Sequence, residues 1–153
     1  MASILAPIPT PVWRKSDNRV GPRGRAGTGT VEAMSVRVEL DGLWERIAEF
    51  GVRAYLVTVT PEATPHVVSV VVDRVDDHLA VGAGRRTRAN LGANPTLTLL
   101  WSPSADPSYS LVVDGTFVAD LDGGERIAID PTSAVLHKVA GADGDGLPCL
   151  PVS

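Results

Sequence analysis

Between Ala80 and Pro95 the chain reads AVGAGRRTRANLGANP. Strand-forming residues meet two glycines, and three arginines then fall within four positions. These residue types suit an anion site. Gly82 and Gly84 carry no Cβ and let a ligand approach the backbone closely. Thr87 offers a hydroxyl and can cap a helix. The N–H groups at a helix start carry partial positive charge that favours anions. Arg85, Arg86 and Arg88 add planar donors that match phosphate oxygens. The competing reading is a solvated cluster paired with acidic neighbours such as Asp73 or Asp76, and the stretch alone admits both. GAGRRT begins like a dinucleotide fingerprint, but the third glycine and a surrounding βαβ unit are missing. It also lacks the Gly-Lys-Ser/Thr ending of a P-loop.

The other chemistry-bearing residues are sparse. His66, His78 and His137 have no further His, Cys or carboxylate at the close spacing of a metal site, so no metal is expected. His66 begins a strand and His78 lies in an acidic turn, and both read as structural. His137 ends the apolar run SAVLH and reads as a hydrogen-bonded wall residue, with a pocket lining as the alternative. No GxSxG nucleophile elbow is present. Cys149 is the only cysteine and stands in a Gly/Asp-rich stretch. It is not expected to be a nucleophile, and a reducing cytoplasm is the simplest location.

The 153 residues carry a formal net charge of −4, spread unevenly. Residues 1–33 hold five basic and two acidic side chains; the remainder holds nine basic and sixteen acidic ones. An acidic body argues against a general nucleic-acid role, because phosphate binding needs a basic face. MASILAPIPTPVW does not read as a signal peptide, since prolines break a short apolar run and the positive charges follow it. No stretch approaches the ~20 apolar residues of a membrane span.

Residues 1–33 are rich in Pro, Gly and Arg without a period, and are expected to be a disordered tail. GPRGRAG is only faintly like RNA-binding arginine–glycine segments, and a solvated extension is preferred. Met34 opens the globular pattern and is a candidate true start. Residues 34–140 are expected to form one domain, and 141–153 a flexible C-terminal segment.

Within that domain LDGLWERIAEFG (40–51) predicts a helix, with Asp41 as N-cap, Leu43, Trp44, Ile47 and Phe50 on one face, and Gly51 as the stop. The period then changes. Alternating β-branched residues predict strands over 52–60, 66–75 and 79–83 on short turns, a short helix over 85–94, and strands over 95–102, 109–120 and 125–130. PTSAVLHKV (131–139) reads equally as further strand or a short helix. One helix and about six strands without crossover helices predict a small antiparallel barrel, which closes its own edges. The strand VVSVVVDRV has few polar positions, so one face should meet the core and the other a partner subunit or a ligand.

Taken in order, AYLVTVTPEATPHVVSVVV, LAVGAGRRTRANLGANPTLTLLW and YSLVVDGTFVAD resemble the FMN-binding split-barrel superfamily, including the pyridoxamine 5′-phosphate oxidase-like proteins and their relatives that use the deazaflavin F420. The resemblance lies in Thr58–Pro65, in the Asn90-Leu91…Pro95 element and in Val113-Asp114-Gly115-Thr116-Phe117, and covers most of residues 40–130. PTSAVLHK looks like the ending of a small actinobacterial branch. Thr87 stands where the family often carries lysine, Thr64 where a turn glycine is usual, and Phe117 where alanine is usual.

The resemblance implies a six-stranded antiparallel split β-barrel with an N-terminal helix and a short helix after the third strand. It implies a homodimer with FMN or F420 in a groove at the interface and a small-molecule substrate. By position, Ser69, Val70 and Val71 would lie beside the ring system, Arg85, Arg86, Thr87 and Arg88 would hold the phosphate, and Trp101 would wall the groove. An oxidoreductase is the implied activity. No residue presents itself as a catalytic acid or base, so a non-catalytic flavin- or deazaflavin-binding dimer is the alternative. A third reading is an interaction dimer whose arginines pair with carboxylates.

Overall fold

The computed structural model describes residues 35–104 and 108–140. The tail 1–33, Met34, Cys149 and the 141–153 segment lie outside the described residues.

The described residues form seven antiparallel strands and two α-helices: β1 (Ser35–Arg37), α1 (Leu43–Phe50), β2 (Arg53–Val59), β3 (Pro65–Val75), β4 (His78–Gly82), α2 (Arg85–Ala93), β5 (Thr96–Trp101), β6 (Tyr109–Leu121) and β7 (Arg126–Lys138). The strand order is β1-β7-β4-β3-β2-β5-β6, and β6 also pairs with β7. Strands β2 to β7 therefore close on themselves as a ring, and β1 is added to the free edge of the second half of β7. The expected strands, α2 and the mainly β antiparallel class are observed, with one strand more than the sequence reading. That strand, β1, has three residues and an exposed pattern, too short to show a period. The undecided segment 131–139 is strand: β7 runs on to Lys138 because β6 supplies an edge along its whole length.

Period-two alternation fills the ring. Ala54, Leu56 and Thr58 of β2, Val70 and Val72 of β3, and Leu97, Leu99 and Trp101 of β5 point inward and are buried. Leu79, Val81, Leu111, Val113, Ile127 and Ile129 complete the core. Each fully buried aliphatic side chain contributes about 1.5–3 kcal/mol.

Helix α1 adds Leu43 and Ile47 to that core. A 3₁₀ turn over Leu40–Gly42 precedes it, so Gly42 rather than the expected Asp41 occupies the N-cap position. The tighter turn places Leu40 and Leu43 on the same side, and both pack inward. Gly51 ends α1 as expected, with φ +90° and its N–H bonded to the Ile47 carbonyl at 2.8 Å. The Trp101 indole N–H then donates to the Gly51 carbonyl at 2.9 Å, fastening the helix end to β5.

Closure needs bending, and β6–β7 supplies it through two register shifts, at Asp114/Gly115 and Phe117/Ala119. At the first shift, a Cβ on Gly115 would stand 2.7 Å from the Ile129 Cγ2 and 3.0 Å from the Asp130 carbonyl oxygen. Gly115→Ala is therefore expected to cost about 1–3 kcal/mol through overpacking. Thermal unfolding should show its midpoint lowered by several degrees, and an unchanged midpoint would count against this packing.

Candidate functional site

Helix α2 follows β4 after Ala83 and Gly84. Its inward face is Thr87, Asn90 and Leu91, which are all buried. Asn90 Nδ2 donates to the Thr58 hydroxyl oxygen at 3.0 Å in the interior, tying the helix to β2, and Leu91 joins the core. Gly84 is the N-cap with extended backbone, and no side chain caps the first turn. That turn carries no acidic residue. The first helical N–H groups thus lack side-chain acceptors, while two arginines stand where the helix dipole disfavours cations.

The three arginines part company. Arg88 is a clamp. Its guanidinium donates to the carbonyls of Ala83, Gly124 and Arg126 and pairs with Asp120, so α2 is bound to the β6–β7 connection. The side chains of Arg85 and Arg86 are exposed and make no hydrogen bond or ion pair with any described residue. Of the acidic neighbours suggested by the sequence, the Asp73 carboxylate accepts from Arg126, and the Asp76 side chain pairs with none of the three arginines. Arg126 also bonds Asp122, and that hydrogen bond, followed by the pull of both carboxylates, raises its pKa above the ordinary arginine value. Thr87 is 2% exposed, so its side chain belongs to the interior face. Around Gly82 and Gly84 nothing lies within 4 Å of where a Cβ would be. The space beside them is open to a ligand. Open glycine backbone, uncapped N–H groups and two unpaired guanidinium groups suit a phosphate.

The same alternation divides the other expected site residues. Ser69 and Val71 point outward and are exposed, while Val70 is buried, so only its backbone can reach a ligand. Val72 pairs with Val81, which sets the outer face of β3 beside the approach to Gly82 and α2. Trp101 is fully buried and packs the core from β5. The apolar outer face includes Tyr55, Val67 and Val71, exposed by 46–54%.

Sequence reasoning did not single out Arg53 and Tyr55. On β2 they pair with Val71 and Ser69 of β3 and share their outward face. Together with Phe50, Ser69, Ser102 and Ser104 they line a groove of about 450 Å³. The odd–even pattern of RAYLVTV carried the signal, since it sends Arg53 and Tyr55 to the same side as Ser69. His137 is exposed, with Nδ1 at 3.0 Å from the Ser35 hydroxyl, so it pins β1 instead of lining a cavity. His78 is buried, and its Nδ1 and the Asp130 Oδ1 have no hydrogen-bond partner among the described residues. Among the described residues no cluster of three or more His, Cys, Asp or Glu could hold a metal, and no helix is long and apolar enough to cross a membrane.

Fold and site together define a mainly β antiparallel protein with an anion-ready helix start beside one sheet face. The chain belongs to the same family as an uncharacterized protein of Mycobacterium bovis and another of Mycobacterium tuberculosis. Each is 38% identical over 104 residues, which span 59% of this chain and 73% of the relative. No protein-family model matches the sequence. Among solved structures, the FAD binding protein from Mycobacterium smegmatis superposes with a TM-score of 0.50 at 13% identity, covering 69% of this chain and 98% of that one, so the two share a fold. An F420 reductase aligns with a TM-score of 0.45 at 20% identity, covering 63% of this chain and 93% of that one.

The division among the arginines is testable by thermal or denaturant unfolding. Arg88→Ala should lose about 1–3 kcal/mol, because hydrogen bonds from a charged group to three part-buried carbonyls are removed together. Arg88→Lys should recover little of it, since an ammonium cannot serve the same fork of acceptors. Arg85→Ala and Arg86→Ala should leave stability within about 0.5 kcal/mol of the parent.

Proposed function

We propose that the protein is a split-barrel binder of a flavin-type cofactor, FMN or F420, and acts as an oxidoreductase on a small molecule. The observation that carries this reading is the pairing of an uncapped, glycine-led helix start with two unengaged arginines, beside an exposed strand face. The shared fold with an FAD-binding protein supports it. Arg85, Arg86 and the first N–H groups of α2 hold the cofactor phosphate. The backbone of Ser69, Val70 and Val71 hydrogen-bonds the edge of the ring system. The cofactor, when bound, supplies hydride transfer. The chain contributes binding, orientation and exclusion of water.

A second copy of the chain covers the outer face of Val67 and Val71, giving a homodimer with the ring system at its interface. Burying that much apolar surface is favourable at ~25 cal/mol per Å². One observation favours a second reading, a non-catalytic binder: the groove beside Ser69 is lined by no carboxylate or histidine among the described residues. Reduced-cofactor turnover against candidate acceptors separates the two readings.

Calorimetric titration with FMN and with F420 tests the phosphate grip. The Arg85→Ala/Arg86→Ala double variant should bind at least about tenfold more weakly, since each charge-assisted hydrogen bond contributes ~1.5–3 kcal/mol. Affinities unchanged by that substitution would remove the assignment. Sedimentation of Val71→Asp should show a monomer where the parent chain is a dimer; a parent that is already monomeric would refute the shared interface.

A further inference from the structure

We infer that the groove between the start of β2 and the end of β5 is a substrate site for a small, flat, aromatic monocarboxylate, with Arg53 as the residue that selects its charge. The inference rests on the cofactor reading for its place beside the ring system, and on the groove itself for its chemistry.

The volume of about 450 Å³ suits a small ligand. Its walls combine two aromatic side chains, Phe50 and Tyr55, with the hydroxyls of Ser69, Ser102 and Ser104 and one cation, Arg53. Tyr55 exposes 46% of its surface. Arg46, Arg74, Arg88 and Arg126 each pair with a carboxylate. The Arg53 side chain is exposed and has neither an ion pair nor a hydrogen bond among the described residues, and none of the described residues lining the groove is acidic. A guanidinium left unpaired beside a concave surface presents a fork of donors matched to a carboxylate. One cation balances one negative charge, which favours a carboxylate over a phosphate dianion and disfavours cationic ligands. The aromatic walls favour a planar body. The outward side chain of Ser69 belongs to this groove, while the neighbouring β3 backbone faces the proposed cofactor, so a ligand held by Arg53 would lie next to the ring system.

The test uses the full chain, with benzoate as probe and benzamide as its neutral counterpart of nearly equal shape, followed by amide NMR shifts. Benzoate should shift the amides of residues 50–55, Ser69, Ser102 and Ser104, and benzamide should bind at least about tenfold more weakly because it lacks the charge. Arg53→Gln should lower benzoate affinity to that of benzamide. Arg53→Lys should fall between, keeping charge but losing the fork. Neither substitution should alter thermal unfolding, since Arg53 engages no described partner, nor the FMN affinity set by Arg85 and Arg86. Equal binding of benzoate and benzamide, shifts confined to other residues, or an unaffected Arg53→Gln variant would overturn the inference. Benzoate binding that depends on Arg53 in a chain that takes neither FMN nor F420 would uphold the groove and defeat the cofactor reading. The reverse pattern would defeat the groove alone.

Discussion

Pairing of β6 with β7 is the interaction on which the rest of the structure depends. Without it, the strands would form an open sheet in the order β1-β7-β4-β3-β2-β5-β6, with the long edges of β6 and β7 unpaired. The two strands are the longest among the described residues, and β7 also receives β4 and β1 on its other edge. Their connection is a tight turn in which Asp122, Gly123 and Gly124 all have positive φ, at 51°, 69° and 103°. Glycine adopts that region without strain and aspartate tolerates it. The Gly115 bulge then lets the strands cross closely enough for Ile129 to fill the interior.

That connection also reaches the site. Arg88 donates to the Gly124 carbonyl and pairs with Asp120, so the turn that closes the ring is the one that holds α2. The Asn90–Thr58 hydrogen bond holds the helix from the inside, where an unpaired hydroxyl or amide would cost about 1–3 kcal/mol. Fixed at both points, α2 presents Arg85, Arg86 and its first N–H groups outward. Three arginines that look alike in the sequence thus divide into one structural clamp and two unengaged cations.

The strand face beside them follows the same economy. Alternation along β2 and β3 commits Leu56, Val70 and Val72 to the interior and sends Arg53, Tyr55, Ser69 and Val71 outward. Exposed valines next to an unpaired guanidinium make a surface suited to a partner and a ligand together.

Much was legible in the sequence because period and punctuation are local. Alternation located β2 to β6, Gly51 marked the end of α1, and the glycine pair placed α2 directly after β4. The first residues of α1 and the short β1 were less legible, since a 3₁₀ turn and a three-residue strand have too little length to show a pattern. The strand character of 131–138 was decided by the long edge that β6 offers, a contact distant in sequence. The resemblance implied Trp101 as a wall of the groove, and it is instead fully buried. The carbonyl of Gly51 and the interior side of β5 put it in the core. The sequence by itself determined which residues could serve an anion: two glycines, three arginines and a helix start in one short stretch. Only the tertiary structure decided which of them are available, because burial and hydrogen bonding, which engage Thr87 and Arg88 and leave Arg85, Arg86 and Arg53 unpaired, come from strands far apart along the chain.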